Sequence, residues 1–351
     1  MTASDSCPAS FPWKAQWINT ERCQSATNTW LIYRKSFAVT NVPNQLIARI
    51  AADSKYWLWI NDQLVIFEGG LKRGPSPSGT YYDPVDIAPY LTKGSNTIAI
   101  LLWHFGKDGF SHINSGKAAL LFEAIAPGLE IVSDASWQCA LYEAYQNTEA
   151  PFPNYRMPES NIRFDARQAI TNWNRTSFEG FLPGAVCVGK AGKAPFGDLV
   201  ERPIPQWKNS GLLSYVSVRE SLRGDTLFCR LPYNAQITPY LKVEAEAGKT
   251  IHIRMDNYEG GSERNVRAEY ITREGEQEYE SYGWMNGHEV YYIIPEGVKV
   301  LDVKYRETGY NTDLAGSFHC DDPFYDELWQ RSARTLYITT VSYTHLTLPT
   351  T

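Results

Sequence analysis

Along most of this chain, apolar and polar residues alternate in short runs broken by Gly, Pro, Asn and Asp. That period predicts strands, because successive side chains of a strand point to opposite faces. IYRKSFAV (Ile32–Val39) and LIARIAA (Leu46–Ala52) open the series. YWLWI and QLVIF (Tyr56–Ile60 and Gln63–Phe67) flank Asn61-Asp62. Both turn residues tolerate positive φ, which predicts a two-residue hairpin. SNTIAILLW (Ser95–Trp103) breaks the alternation and is almost wholly apolar, as expected of a strand buried on both faces. KAALLFEAIA (Lys117–Ala126) closes a first unit, placed at 11–127. Short strands with frequent turns predict a β-sandwich, jelly-roll-like in character.

Residues 128–210 have no clear period, and APFPNYRMPESN is rich in Pro. Part of this stretch is expected to complete the first sandwich and part to act as a linker. A second β unit follows at 211–316. In ITPYLKVEAEAGKTIHIRM (Ile237–Met255), Leu241 and Val243 face one way on one side of Gly248, and Ile251, Ile253 and Met255 do likewise on the other. EVYYIIPEGVKVLDVKYRE (Glu289–Glu307) turns at Pro295-Glu296-Gly297.

The period changes only near the end. In DDPFYDELWQRSARTLYIT, Asp322 is placed to cap a helix and Pro323 occupies its first position. Phe324, Leu328 and Trp329 share a face, with Leu336 further along. An apolar stripe needs a partner, and a lone helix of this length is marginal in water. The segment 317–340 is therefore expected to begin a further, helical domain. VSYTHLTLPTT (341–351) reads like translated adapter DNA and is left out of the fold expectation. The expected class is mainly β: two sandwiches, then the first helix of an incomplete α/α-toroid.

Composition narrows the function. A chain of 351 residues, 43% hydrophobic, has room for two or three domains with real cores. Net charge is −6 without a basic stripe, which speaks against nucleic acid as a partner. No apolar run reaches the length of a membrane helix, so no membrane partner is expected. The N-terminus has no basic start followed by an apolar stretch, and the cytoplasm is the default compartment. The six Cys are scattered without a CxxC pair, so reduced thiols are expected rather than a disulfide framework or a zinc site.

Four stretches in order carry a family resemblance: WKAQWI (Trp13–Ile18); YRKSF (Tyr33–Phe37) through ADSKYWLWIND (Ala52–Asp62) to YYDPVDIAPYLTKGSNTIAI (Tyr81–Ile100); NIRFDAR (Asn161–Arg167) with APFGDLVERPIP (Ala194–Pro205); and the run Val303–Thr339. Over about 330 residues the chain resembles the N-terminal half of bacterial α-L-rhamnosidases, glycoside hydrolase family 78. The resemblance implies an inverting glycosidase that removes terminal α-L-rhamnose from glycans or glycosides. It implies a carbohydrate partner and no obligatory cofactor. Inversion needs two carboxyl groups, one protonating the leaving oxygen and one activating water. In the family both lie in the helical toroid, so no residue of this chain is assigned as catalytic, and the chain alone is expected to be inactive. The other readings are a free-standing carbohydrate-binding sandwich and the N-terminal half of another toroid glycosidase.

The candidate sugar-binding residues are Trp57, Trp59, Trp103, His104, Asp108 and His112. Trp57 and Trp59 share strand parity and form either an aromatic platform or part of the core. Trp103-His104 leads into the loop GKDGFSHINSG, where His104, Asp108 and His112 are placed either to meet a polyol or to serve as ordinary loop polar groups. Some family members bind calcium near the segment holding Glu159, Asn161 and Asp165, which makes these the calcium candidates. The alternative is that Asp165 and Arg167 anchor the linker. Trp284, Asn286, Gly287 and His288 form a turn in the second sandwich. Asp321, Asp322, Asp326 and Glu327 read as helix-start acids rather than a catalytic pair.

Overall fold

A computed structural model describes residues 12–70, 79–109, 112–153, 159–203, 205–258, 266–309, 311 and 315–339. The tail 341–351 and part of the Pro-rich segment lie outside the described residues.

The first sandwich has two sheets. The outer sheet runs Val186–Lys190, Gln16–Asn19, Ala119–Ala126, Ile47–Asp53, Thr80–Asp86 and Leu199–Glu201, with Leu129–Val132 also pairing Ala119–Ala126. The middle sheet runs Gln138–Leu141, Thr29–Val39, Gly94–His104, Lys55–Ile60 and Gln63–Gly70. Asn61 and Asp62 both take positive φ (46° and 70°), and Ile60 pairs Gln63, so the expected hairpin is present.

Strand parity sorts the middle sheet. Leu31, Tyr33, Leu58, Ile98, Ile100 and Leu102 face the outer sheet and pack with Ile50, Ala52, Leu120 and Phe122. Trp30, Ile32, Trp57, Trp59, Leu101 and Trp103 point the other way, into a core shared with Phe164, Ile237, Tyr270 and Tyr292 of the second unit. The run is thus buried on both faces from Asn96 to Trp103, with Ser95 exposed at its start, as its composition predicts.

The second unit is built on one long strand, Thr226–Ala245. Its first half pairs Ser217–Glu220 and Met285–Ile293; its second half pairs Gly275–Glu280 and Val298–Glu307. Thr250–Met255 pairs Arg267–Ile271 and Met285–Ile293, not the long strand that precedes it in sequence. The turn at Gly248 (φ +86°) therefore sends the chain to a different neighbour. Leu241, Val243, Ile251, Ile253 and Met255 all converge on one core. The architecture is mainly β, with β-sandwich domains and one described α-helix, Pro323–Thr339.

Residues 128–210 supply both units. Leu129–Val132, Gln138–Leu141, Val186–Lys190 and Leu199–Glu201 join the first sandwich. Tyr145–Asn147 and Ile162–Asp165 join the second sheet, the latter parallel to Arg267–Ile271.

Candidate functional site at the mouth of the first sandwich

The aromatic candidates lie in the core. Trp57 and Trp103 are 0% exposed and Trp59 is 8% exposed. Trp30 stacks on Trp103 at 4.6 Å and on Tyr145 at 3.9 Å, while Trp57 packs against Tyr282 at 4.6 Å. Asn28 Oδ1 accepts from the indole N–H groups of both Trp30 and Trp103 (2.9 and 2.8 Å). Of the two readings of Trp57 and Trp59, the core holds and the sugar platform does not, and Trp103 as a sugar-binding candidate is corrected in the same way: the three rings are packed in the core shared by the sandwiches, with no face left for a sugar.

His104 and His112 are also fully buried, so neither reaches a polyol. They close a polar cluster at the end of the Ile47–Asp53 and Gly94–His104 strands. Asp53 Oδ1 accepts from Ser54 Oγ (2.9 Å) and lies 3.1 Å from His104 Nδ1. Asp53 Oδ2 accepts the Ser115 N–H at 2.9 Å, and Ser54 Oγ lies 3.3 Å from His112 Nε2. Burial pushes the Asp53 carboxyl up. The His104 hydrogen bond, the charges of His104 and His112, and the Ser115 N–H outweigh that and hold it at about 2. The cluster ties the loop after His104 to the strand before it. Asp108 is exposed and accepts the Asn114 N–H at 2.8 Å, which shapes the same loop.

The calcium candidates each turn to a protein partner. Glu159 Oε1 lies 3.4 Å from Lys55 Nζ. Asn161 Oδ1 accepts the Arg267 N–H at 3.0 Å. Asp165 is held by a two-pronged contact from Arg167 (2.8 and 2.7 Å), which lowers its pKa first among several hydrogen bonds. Among the described residues, no group of three or more His, Cys, Asp and Glu is arranged to hold a metal. Each of the three side chains is thus engaged by a basic residue of the chain or by its backbone N–H.

Sequence reasoning missed the residues that carry the buried charge. Lys55 is 1% exposed, 2.7 Å from Glu68, with Trp103, Phe105 and Trp284 around its ammonium. Burial raises the Glu68 carboxyl, and the Lys55 charge only partly offsets this. Beside it, Arg202 Nε lies 2.7 Å from Asp83, which also accepts from Tyr56 Oη and Gly70 N. The available signal was Asp53-Ser54-Lys55, three polar residues between two apolar strands.

In the second sandwich, Asn286, Gly287 and His288 lie within the strand Met285–Ile293 rather than in the expected turn; Asn286 and His288 are exposed, and the His288 N–H donates to Asp256 at 2.9 Å. At the helix start, Asp322 Oδ1 accepts the Phe324 N–H (3.0 Å), Asp326 accepts the Cys320 N–H (3.0 Å), and Glu327 pairs Arg331 (2.5 Å). These acids cap and brace.

Among solved structures, a family 78 rhamnosidase of Bacillus sp. GL1 superposes with a TM-score of 0.81 over 93% of this chain at 17% identity. The chain carries the fold of the family 78 rhamnosidases. The α-L-rhamnosidase of Aspergillus terreus matches over 90% of the chain (TM-score 0.67, 19% identity), and that of Streptomyces avermitilis, complexed with L-rhamnose, over 86% (TM-score 0.64, 16% identity). The chain spans 58%, 38% and 31% of those three rhamnosidases, respectively. No protein-family model and no curated protein matches the sequence. Among the described residues, no helix is long and apolar enough to cross a membrane.

Proposed function

We propose that this chain is the non-catalytic N-terminal part of an α-L-rhamnosidase-like inverting glycoside hydrolase acting on terminal α-L-rhamnose. The fold match over 93% of the chain, against 58% of the Bacillus enzyme, is the observation that carries this reading. The capping and bracing roles of Asp322, Asp326 and Glu327 support it, because these acids are engaged in holding the helix. On this reading the two sandwiches support a helical toroid, and Phe324, Leu328 and Leu336, all exposed, face toward it.

Two measurements test the proposal. The purified chain should release no aryl alcohol from an aryl α-L-rhamnoside at any pH; turnover that an active-site titrant stops would overturn the non-catalytic role. Reading the genomic frame past codon 340 should reveal several helical hairpins bearing two carboxyl residues, and a frame without them would overturn the glycosidase reading.

A further inference from the structure

We infer that the helix Pro323–Thr339 belongs mechanically to the second sandwich, and that Arg334 is the pin that holds it there. This stands whether or not the proposed function does. In sequence the helix follows a stretch with the look of a tether, and residues 315–319 are exposed.

Arg334 meets three partners on the sandwich. Its Nη2 lies 2.6 Å from Glu307 Oε1. Its guanidinium sits 3.7 Å over the Tyr233 ring, and Nε and Nη2 donate to the Asn234 carbonyl at 3.3 and 3.4 Å. Tyr233 Oη donates to the other Glu307 oxygen at 3.0 Å. Glu307 thus braces both the cation and the ring beneath it. A planar guanidinium that forks onto a carbonyl, reaches a carboxylate with the same edge and stacks on an aromatic face suits Arg and not Lys. Tyr233-Asn234 lies where the long strand shifts register against Met285–Ile293, between Arg230 and Ala235, so an irregularity of the sheet builds the notch.

A second contact lies one turn on. Tyr337 covers Gly309 so closely that a Cβ there would stand 2.3 Å from the ring, closer than real atoms approach. Burial follows the same face: positions 326, 329, 333, 334 and 337 are half-buried, while 324, 325, 328 and 336 are exposed. Their spacing is that of a helix with one docked side and one outward side. The sandwich, rather than the connecting loop, sets the direction of the helix and fixes where its outward face points.

Hydrogen exchange of the helix amides in the full chain tests this. Arg334→Gln and Gly309→Ala should each speed exchange over 326–337 about tenfold or more, because an undocked helix of this length is marginal. Arg331→Gln, which removes only the within-helix pair to Glu327, should change it about twofold at most. Intrinsic fluorescence melting of the sandwiches reports whether each variant is folded; if Gly309→Ala fails to fold, Arg334→Gln decides alone. Wild-type exchange in Arg334→Gln, or equal opening in Arg331→Gln, would overturn the inference.

Discussion

The joint between the two sandwiches and the joint between the second sandwich and the helix use different physics. The first is an aromatic interior: Trp30 stacks on Trp103 and Tyr145, Trp57 packs at a tilt on Tyr282, and the Lys55–Glu68–Glu159 charges are sealed at its margin. The second is a clip of one guanidinium, one carboxylate and two tyrosines, with the Arg334 side chain 24% exposed. Broad apolar burial ties cooperative units together, whereas a few directed contacts fix an angle at modest cost. The sandwiches should therefore unfold as one body and the helix should open by itself.

The strongest way to break that contrast is Trp30→Ala. Removing the ring that bridges Trp103 and Tyr145 should cost about 3–5 kcal/mol and lower a single unfolding transition seen by both sandwiches. Two separate transitions in calorimetry would mean that the aromatic joint is not a shared core. Next is Lys55→Ala. It removes the buried ammonium between Glu68 and Glu159 and should cost about 3 kcal/mol in urea unfolding, far more than an exposed ion pair. A change under about 0.5 kcal/mol would show that water reaches the margin.

Acid gives a smaller effect of known sign. The Asp53 carboxyl lies at about 2 in the folded chain against an ordinary 3.8. Its contribution is whole above about pH 4 and is lost as pH falls toward 2, a difference of about 2 kcal/mol. Glu68 acts in the opposite sense, since its raised carboxyl stabilises at low pH and loses that contribution as pH rises through its folded value. Comparing acid unfolding of the wild type with Asp53→Asn isolates the Asp53 contribution; identical pH slopes would show that Asp53 makes none.

The strands were legible wherever local pattern decides structure. Asn61-Asp62 announced its turn, Asp322-Pro323 its helix start, and the run 95–103 its double burial. Partners were not legible. Nothing local to Ile162–Asp165 says that it pairs with a strand about a hundred residues later and carries Tyr145–Asn147 into the same sheet. Trp57 and Trp59 show parity, but parity alone does not say whether a face meets water or another sheet. The helix stripe was half right. Phe324, Leu328 and Leu336 are exposed, whereas Trp329 turns partly toward the docked side, where a charged residue, Arg334, makes the decisive contact. Apolar periodicity does not register that kind of anchor.

The middle sheet has a consequence for sequence change. With cores on both faces of Gly94–His104, that strand has few positions where a polar replacement meets water. In most antiparallel strands a saturation library recovers every second position with polar substitutions. Here the survivors should show no such rhythm from Thr97 to His104, and the strand should drift more slowly in a population of variants than the Ser217–Glu220 edge, all four of whose residues are exposed.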